Sequence, residues 1–305
     1  EHAALSARGL EALRAGQVGV VILAGGMATR FGGVVKACVP VLGERTFLDL
    51  KLADVRARGA KVPVFIMSSF ATHEALLEAV RGQPDVHVFP QFVSLRLTPD
   101  GALFKEADGE VSPYATGHGD LTFALARAGL LSRFLAQGGE LLVMSNVDNL
   151  GATLDPAVLG AHLTRGAALT AEVVRKHPGD KGGAPARVDG VPQIVEGFRF
   201  PAAFDQDAIS VFNTNTFVLN ARALEAAFTL PYYRVEKKVD GASVVQFERL
   251  VGELSAFIPT VFLEVPREGA LSRFLPVKDP AELQARLPDI QSVTESKRHA
   301  SAAVT

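Results

Sequence analysis

Apolar residues along this chain follow two alternating rhythms. Short unbroken runs rich in Val, Ile and Leu, at Val18–Ala24, Val62–Ser68, Val86–Phe89 and Glu140–Met144, predict strands buried on both faces. Between them Thr46–Arg58, Thr72–Val80 and Asp120–Ala136 carry apolar residues at helical spacing. Thr72 is positioned to cap its helix, without a capping box because Ala75 stands three residues on. The opening stretch "EHAALSARGLEALRAG" predicts an amphipathic helix. Strand–helix alternation of this kind predicts a doubly wound, mostly parallel sheet flanked by helices. The second half is less regular: "LTAEVVRK", "PARVDGVPQIVEGF" and "ISVFNTNTFVLN" predict strands joined by turns, and hence a mixed portion of the sheet. Asp189-Gly190 is a hairpin turn between Ala186–Val188 and Val191–Val195. From Ser292 the tail "SVTESKRHASAAVT" lacks core periodicity and is expected to fray, leaving one domain over 1–291 and a disordered tail over 292–305.

Composition narrows the classes. With 305 residues, 48% apolar and 21% charged, the chain can bury a large single core. A formal net charge of −2 offers no basic face, so nucleic acid is not an expected partner. The single cysteine, Cys38, excludes an internal disulfide and a Cys-rich zinc site. No apolar run approaches the roughly 18 residues of a membrane span, so neither a transmembrane helix nor a membrane partner is expected. A cytoplasmic enzyme is the default expectation.

Five stretches carry candidate chemistry. In "VVILAGGMATRFGGVVKACVP" a strand stops at Leu23 and Ala24, followed by the pairs Gly25-Gly26 and Gly32-Gly33, then Arg30 and Lys36 nearby. Glycines after a strand let backbone N–H groups approach a phosphate. The spacing matches neither the Walker pattern nor G-x-G-x-x-G, and a plain tight turn also explains it. In "LLVMSNVDNLGA" a buried strand runs into Asn146, Asp148 and Asn149. A carboxylate at the carboxyl end of a parallel strand suits Mg²⁺, which binds through one or two carboxylates plus substrate phosphates; an Asx-rich turn is the alternative. "YATGHGD" brackets His118 with Gly117 and Gly119, and Asp120 can cap the helix that follows. "VFNTNTFVL" puts Asn213 and Asn215 on one strand face, suited to sugar hydroxyls or to a cross-strand polar ladder. "LSRFLPVKDPAEL" presents Arg273 and Lys278 around a Pro-held turn before a helix starting near Pro280.

Taken together, "LAGGMATRFGG" with Lys36, "FLDLK", "GHGD", "SNVDNLGA", "KGGAPA", "FNTN", "VVQFERLVG" and "SRFLPVKDPAEL" occur in an order that resembles the UTP–glucose-1-phosphate uridylyltransferase family of eukaryotic type. UDP-sugar and UDP-N-acetylhexosamine pyrophosphorylases are relatives of that family. The resemblance runs from about Val18 to Leu283. It implies a GT-A/Rossmann-like α/β nucleotidyltransferase core over 1–291, with a mixed, mostly parallel sheet, that binds UTP, a sugar 1-phosphate and Mg²⁺. The chain ends soon after Leu283, where eukaryotic members continue into a C-terminal β-helix used for association, so that domain is expected to be absent and a monomer or weak homo-oligomer is expected. By motif, Leu23, Ala24, Gly25, Gly26, Gln91, Gly117, Asn146 and Asp148 would hold the nucleotide, with Asp148 as the Mg²⁺ ligand. His118, Lys181, Gly183, Glu196, Asn213 and Asn215 would hold the sugar phosphate. Lys278, Lys36 and Arg30 would supply catalytic charge.

The implied reaction is in-line attack of a sugar-1-phosphate oxygen on the α-phosphorus of UTP, giving UDP-glucose and pyrophosphate. Two positions depart from the family pattern. Ala28 stands where a third glycine is frequent, and Val35 precedes Lys36 where proline is usual, which leaves the aim of Lys36 open. The rival expectations are the same chemistry on galactose 1-phosphate or an N-acetylhexosamine 1-phosphate, and a non-catalytic UDP-sugar sensor. A dinucleotide oxidoreductase fits the glycine spacing poorly.

Overall fold

The computed structural model describes residues 1–180 and 182–302, with side chains described as far as residue 295. Seven strands make the central sheet: β1 (Val18–Leu23), β2 (Val64–Ser68), β3 (Val86–Pro90), β4 (Leu141–Asn146), β5 (Leu169–Arg175), β6 (Val211–Asn220) and β7 (Thr260–Glu264). Their spatial order is β7-β5-β6-β4-β1-β2-β3. β4, β1, β2 and β3 run parallel to one another, as do β5 and β7. β6 lies antiparallel to both of its neighbours, β4 and β5. The sheet is therefore mixed and mostly parallel, with its irregularity in the second half, as the hydrophobic pattern predicts.

Helices α1 (His2–Arg14), α2 (Phe47–Arg56), α3 (His73–Ala79), α4 (Leu121–Arg127), α5 (Leu130–Ala136), α6 (Pro156–Arg165) and α7 (Pro280–Ala302) cover the sheet. Every residue of β1 is buried, because successive side chains enter opposite cores. Val18, Val20 and Ile22 pack with Leu13 of α1, Leu48 and Leu52 of α2, Leu159 of α6 and Ile290 of α7. Val21 and Leu23 pack on the other face with Leu121 and Leu125 of α4, and Leu131 and Phe134 of α5. None of the helices is long and apolar enough to cross a membrane, among the described residues.

Several local expectations are corrected. The predicted helix over Asp120–Ala136 is two helices, interrupted where Gly129 adopts φ +67°. Thr72 does not cap α3 with its side chain; its hydroxyl accepts the Ser69 N–H at 2.9 Å instead. Asp120 likewise makes no cap to α4, because its carboxylate is engaged by other groups described below. The residues from Ser292, expected to be disordered, continue α7 through Ala302, and Val293 is buried in the core; residues 303–305 lie outside the described residues. The apolar Ile290 and Val293 anchor this extension, a signal that the polar composition of the tail obscured. By contrast Asp189 (φ +50°) and Gly190 (φ +81°) make the hairpin turn expected of them.

α1 reaches its place only because two glycines meet at its crossing with α6. A Cβ on Gly9 would stand 1.9 Å from the Pro156 carbonyl oxygen, and one on Gly160 would stand 1.9 Å from the Leu5 carbonyl oxygen. Backbone faces backbone at both points, so no side chain can yield. Intrinsic helix propensity would favour alanine over glycine by about 1 kcal/mol at an interior position. The crossing reverses that sign: Gly9→Ala is expected to lower the melting temperature, and a thermal melt showing an unchanged or raised midpoint would contradict this packing.

Candidate functional site

The carboxyl ends of the parallel strands β1, β2, β3 and β4 gather the candidate residues at one edge of the sheet, where α/β folds bind ligands. Leu23, the last residue of β1, pairs with Asn146 at the end of β4 and with Met67 of β2. Ala24 continues this strand end, its N–H donating to the Met67 carbonyl at 2.9 Å. Past β3, the Gln91 N–H donates to the Ser68 carbonyl at 2.9 Å. This places the Gln91 side chain against the glycine loop. A Cβ on Gly25 would lie 2.2 Å from Gln91 Nε2, so the loop needs glycine there to admit the amide. Gln91 Oε1 is buried and has no hydrogen-bond partner among the described residues.

After Gly26, Met27–Ala28 pairs antiparallel with Val34–Val35 in a short hairpin. Gly32 and Gly33 turn it at φ +85° and +79°, values that disfavour any other residue. Extended backbone at Val35 then enters a single 3₁₀ turn, Lys36–Cys38. That turn directs Lys36 Nζ onto the Asp148 carboxylate in a hydrogen-bonded ion pair. Their side chains are 17% and 19% exposed, so the pair is shielded from bulk solvent yet reachable. The departure at Val35 therefore leaves Lys36 aimed at the candidate metal carboxylate. Arg30 projects from the same hairpin and is 65% exposed, 3.9 Å from Asp279. An ion pair that exposed contributes little stability, but it sets the hairpin opposite the residue next to Lys278.

Lys278 is carried by a segment fastened to the Asp148 loop. Asn149 Oδ1 accepts the Leu275 N–H at 2.8 Å, and its Nδ2 donates to the Arg273 carbonyl at 3.2 Å. Glu282 Oε2 accepts the Lys278 N–H at 2.7 Å, and Asp279 Oδ1 accepts the Glu282 N–H at 2.8 Å. These two bonds start α7 immediately after the lysine. The Lys278 side chain is exposed, with no ion pair among the described residues. Arg273, expected to be presented with it, is instead buried at 3% exposure. Arg273 Nε donates to Glu172 Oε2 at 2.6 Å, Nη2 donates to the other carboxylate oxygen of Glu172, and Nη2 also reaches the Thr153 carbonyl at 3.1 Å. Its place is in the frame that supports the site.

On the other flank the backbone of β6 is irregular. Pairing with β5 slips between Phe217 opposite Ala171 and Asn213 opposite Val173. The slack is taken up at Asn215, which sits in the left-handed region at φ +57°, a conformation that asparagine tolerates better than most residues. Asn213 Oδ1 accepts the Asn215 N–H at 3.0 Å, and Asn215 Nδ2 donates to Asn146 Oδ1 at 3.0 Å. The amide pair expected on one regular strand face is thus a bulge, with one amide shaping the turn and the other linked to β4. The Asn213 N–H also donates to the Gly183 carbonyl at 2.8 Å. A Cβ on Gly183 would come within 2.9 Å of Glu196 Oε1. Burial holds the Glu196 carboxyl above its ordinary range, Glu253 adds to the effect, and Arg199 opposes it. Lys181 lies outside the described residues.

His118 closes the arc. The Val251 N–H donates to its Nδ1 at 3.0 Å, so the ring proton resides on Nε2. Burial pushes the imidazole pKa down to about 4, against opposing pulls from Glu248 and Asp120. His118 is therefore a neutral donor near pH 7, with no cationic charge to offer a phosphate. Its loop is clamped by close backbone contact: a Cβ on Gly117 would meet the Arg249 carbonyl oxygen at 2.6 Å, and one on Gly119 would meet Leu250 N at 2.5 Å. Asp120 accepts from Arg249 Nε at 2.9 Å and from the Phe92 N–H at 2.9 Å, which ties the loop to Gln91's neighbour. The Arg249 guanidinium also lies 4.5 Å from the Phe123 ring and 4.8 Å from the Tyr232 ring.

Contacts thus link every described candidate residue into one continuous rim. Asn149, Arg249 and the Arg199–Glu253 pair were not singled out by role in the sequence. Arg199 Nη1 reaches both oxygens of the buried Glu253 at 2.8 and 2.9 Å, beside Glu196. Asn149 stands just past the end of the buried strand beside Asp148, which marks it without a role, and Arg249 is signalled only by falling within the motif string "VVQFERLVG".

The chain can be compared with known proteins. The family described as UTP–glucose-1-phosphate uridylyltransferase matches residues 5–302. The enzyme of that name from Solanum tuberosum is 32% identical over 90% of this chain and 62% of its own length. UTP–glucose-1-phosphate uridylyltransferase 2 of Dictyostelium discoideum is 31% identical over 88% of this chain and 58% of its own length. This chain therefore spans about three fifths of these curated relatives. Among solved structures, UDP-glucose phosphorylase from Trypanosoma brucei superposes with a TM-score of 0.79 at 27% identity, covering 90% of this chain and 65% of that one. The uridine diphosphate N-acetylglucosamine pyrophosphorylase from Trypanosoma brucei shares the fold, with a TM-score of 0.77 at 20% identity over 94% of this chain and 67% of that one. A match spanning nearly the whole chain, over the same motifs that assemble the rim, makes this protein a member of the UTP–glucose-1-phosphate uridylyltransferase family.

Proposed function

We propose that this chain joins UTP to glucose 1-phosphate, forming UDP-glucose and releasing pyrophosphate. The observation that carries this reading is the Lys36–Asp148 pair at the carboxyl edge of the sheet, with the exposed Lys278 fastened to the same loop through Asn149. A phosphate oxygen of the sugar 1-phosphate is already ionised and needs no general base. It attacks the α-phosphorus, and the bond from that phosphorus to the bridging oxygen breaks, with its electron pair leaving on pyrophosphate. Both reactants are anions, so the barrier is mainly one of charge and alignment.

The residues divide that work. Leu23, Ala24, Gly25 and Gly26 supply the backbone wall for the nucleotide, and Gln91 and Gly117 border the base. The unpartnered, buried Gln91 Oε1 fits a base that brings an N–H. Lys36, Lys278 and Arg30 offset the phosphate charge. Neutral His118 offers its Nε2–H to an oxygen of the sugar phosphate. Asn146, Asn213, Asn215, Gly183 and Glu196 line the sugar side, and Lys181 is assigned there by motif alone.

Asp148 would hold Mg²⁺. No group of three or more His, Cys, Asp or Glu side chains suited to a metal occurs among the described residues. A single carboxylate is the donor set expected where substrate phosphates complete the coordination of this ion. The bound ion would supply charge neutralisation along the triphosphate.

The direct test is pyrophosphate release from UTP and Mg²⁺ with glucose 1-phosphate, galactose 1-phosphate and N-acetylglucosamine 1-phosphate in parallel. Release that favours glucose 1-phosphate supports the reading. Preference for another sugar reassigns the substrate, and binding of UDP-sugar without release from any of them points to a sensor. Lys278→Ala is expected to fold normally and to lose about 2.7–4 kcal/mol of transition-state stabilisation, roughly a hundred- to a thousandfold in turnover. Near-wild-type turnover in that variant would remove the lysine from the mechanism.

The depressed pKa of His118 has a consequence for the pH profile. The ring takes up a proton only near pH 4, so it stays neutral as pH falls through the usual histidine range. The profile of kcat/KM should therefore show no acidic limb near an ordinary histidine pKa. Such a limb, abolished in His118→Gln, would show that the ring titrates freely.

A further inference from the structure

Beneath the Asp148 loop lies a buried cation that none of these roles uses. Lys51, on the sheet-facing side of α2, is 5% exposed, a rare state for lysine without a charged partner. It forms no ion pair among the described residues. Its Nζ donates to Ser145 Oγ at 2.9 Å and to the Ala152 carbonyl at 2.7 Å. Those two acceptors stand at either end of the segment bearing Asn146, Asp148 and Asn149. The surrounding charges are Asp54, Asp148 and Glu172, which favour the ammonium, and Arg273, which opposes it; burial nonetheless lowers its pKa to about 8. A methionine at this position would fill the same space without the desolvation cost, so the ammonium must be explained by what it holds.

We infer that Lys51 is a positioning residue for the phosphate-and-metal loop: it ties both ends of Ser145–Ala152 from below, fixing Asp148 against Lys36 and Asn149 against the segment that carries Lys278. The inference rests on the reading of Asp148 and Lys278 given above for its functional meaning, while its structural content stands on the two hydrogen bonds. The loop's own backbone bonds show what is at stake. The Val147 N–H donates to the Leu23 carbonyl at 3.0 Å, the Asn149 N–H to the Asn146 carbonyl at 3.2 Å, and the Leu275 N–H to Asn149 Oδ1 at 2.8 Å. All three depend on the course of the segment between the two lysine acceptors. A cavity of about 70 Å³ lies beside Lys51, lined by Leu50, Asp54, Leu150 and Thr153 among others, and gives this end of the loop room to shift if the ammonium is lost.

Hydrogen exchange by mass spectrometry on the free protein reads this directly, with Lys51→Met as the variant. Exchange in Val147, Asn149 and Leu275 should accelerate about tenfold, the scale of losing hydrogen bonds to a charged donor, while β2 and β3 keep wild-type protection. Unchanged exchange at all three amides overturns the proposal, and so does a uniform acceleration across the sheet, which would make Lys51 a general stabiliser. Ser145→Ala removes one acceptor and keeps the lysine. It should show the same local pattern at smaller size, and it decides the matter if Lys51→Met fails to fold.

In pyrophosphate release, the Mg²⁺ concentration for half-maximal rate should rise about tenfold with Lys51→Met, while KM for the sugar 1-phosphate stays within experimental error. A lower melting temperature with both kinetic constants unchanged would also overturn the positioning role. Absence of release by the wild-type protein would defeat the functional reading alone, leaving hydrogen exchange to judge Lys51.

Discussion

One side-chain amide couples the halves of the site. Asn149 is 2% exposed and uses both ends of its carboxamide on the backbone of a segment more than a hundred residues away, accepting at Leu275 and donating at Arg273. Aspartate could accept but not donate, and leucine could do neither. The approach also requires Gly151, where a Cβ would stand 2.7 Å from the Arg273 carbonyl carbon. Once the segment is docked, the Arg273 side chain turns inward to the buried Glu172 of β5 and to the Thr153 carbonyl. The candidate metal carboxylate and the candidate catalytic lysine thus belong to one hydrogen-bonded body.

A second clamp does the same on the opposite flank. Asp120 is fully buried, and its charge is met by Arg249 together with the Phe92 N–H and the Thr116 hydroxyl. Taking such a pair out of water is costly unless every remaining lone pair and proton is satisfied, and here the carboxylate is saturated. Arg249 is further enclosed by the rings of Phe92, Phe123 and Tyr232. The Arg199–Glu253 pair repeats the device beside Glu196. Three arginine–carboxylate pairs thus stand behind candidate residues of which Lys36 and Asp148 are partly exposed and Lys278 is exposed, so rigidity is built behind the candidate site rather than in it.

The parallel half of the fold was legible in the sequence because its strands are buried on both faces and write continuous apolar runs. The glycine loop, "SNVDNLGA" and "SRFLPVK" were legible as an ordered set, although alone the first two permitted a turn and the third a solvated lysine. What resisted depends mostly on contacts distant in sequence. Asp120 carries the chemistry of a cap, but Arg249 and the Phe92 N–H claim its oxygens, while Thr72 turns its hydroxyl back to Ser69 within the same turn. Asn213 and Asn215 alternate as strand residues should, yet a local bulge redirects one of them. Arg273 and Lys278 look alike in one short motif, and only the burial of Glu172 separates a frame residue from an exposed one. The tail past Ser292 reads as polar, while its Val293 finds the core.

On the proposed function, the orphaned oxygen of Gln91 would give the site an unequal eye for nucleobases. A buried acceptor that faces no donor is an unmet demand carried by the free protein. Uracil can meet that demand because its ring nitrogen between the two carbonyls bears a hydrogen. Cytosine, of the same size and shape, carries a lone pair at the equivalent atom and would leave two acceptors facing each other. Selection between two pyrimidines of nearly equal volume can then rest on the placement of one proton. Gly25 makes this possible by leaving the amide room to stand there.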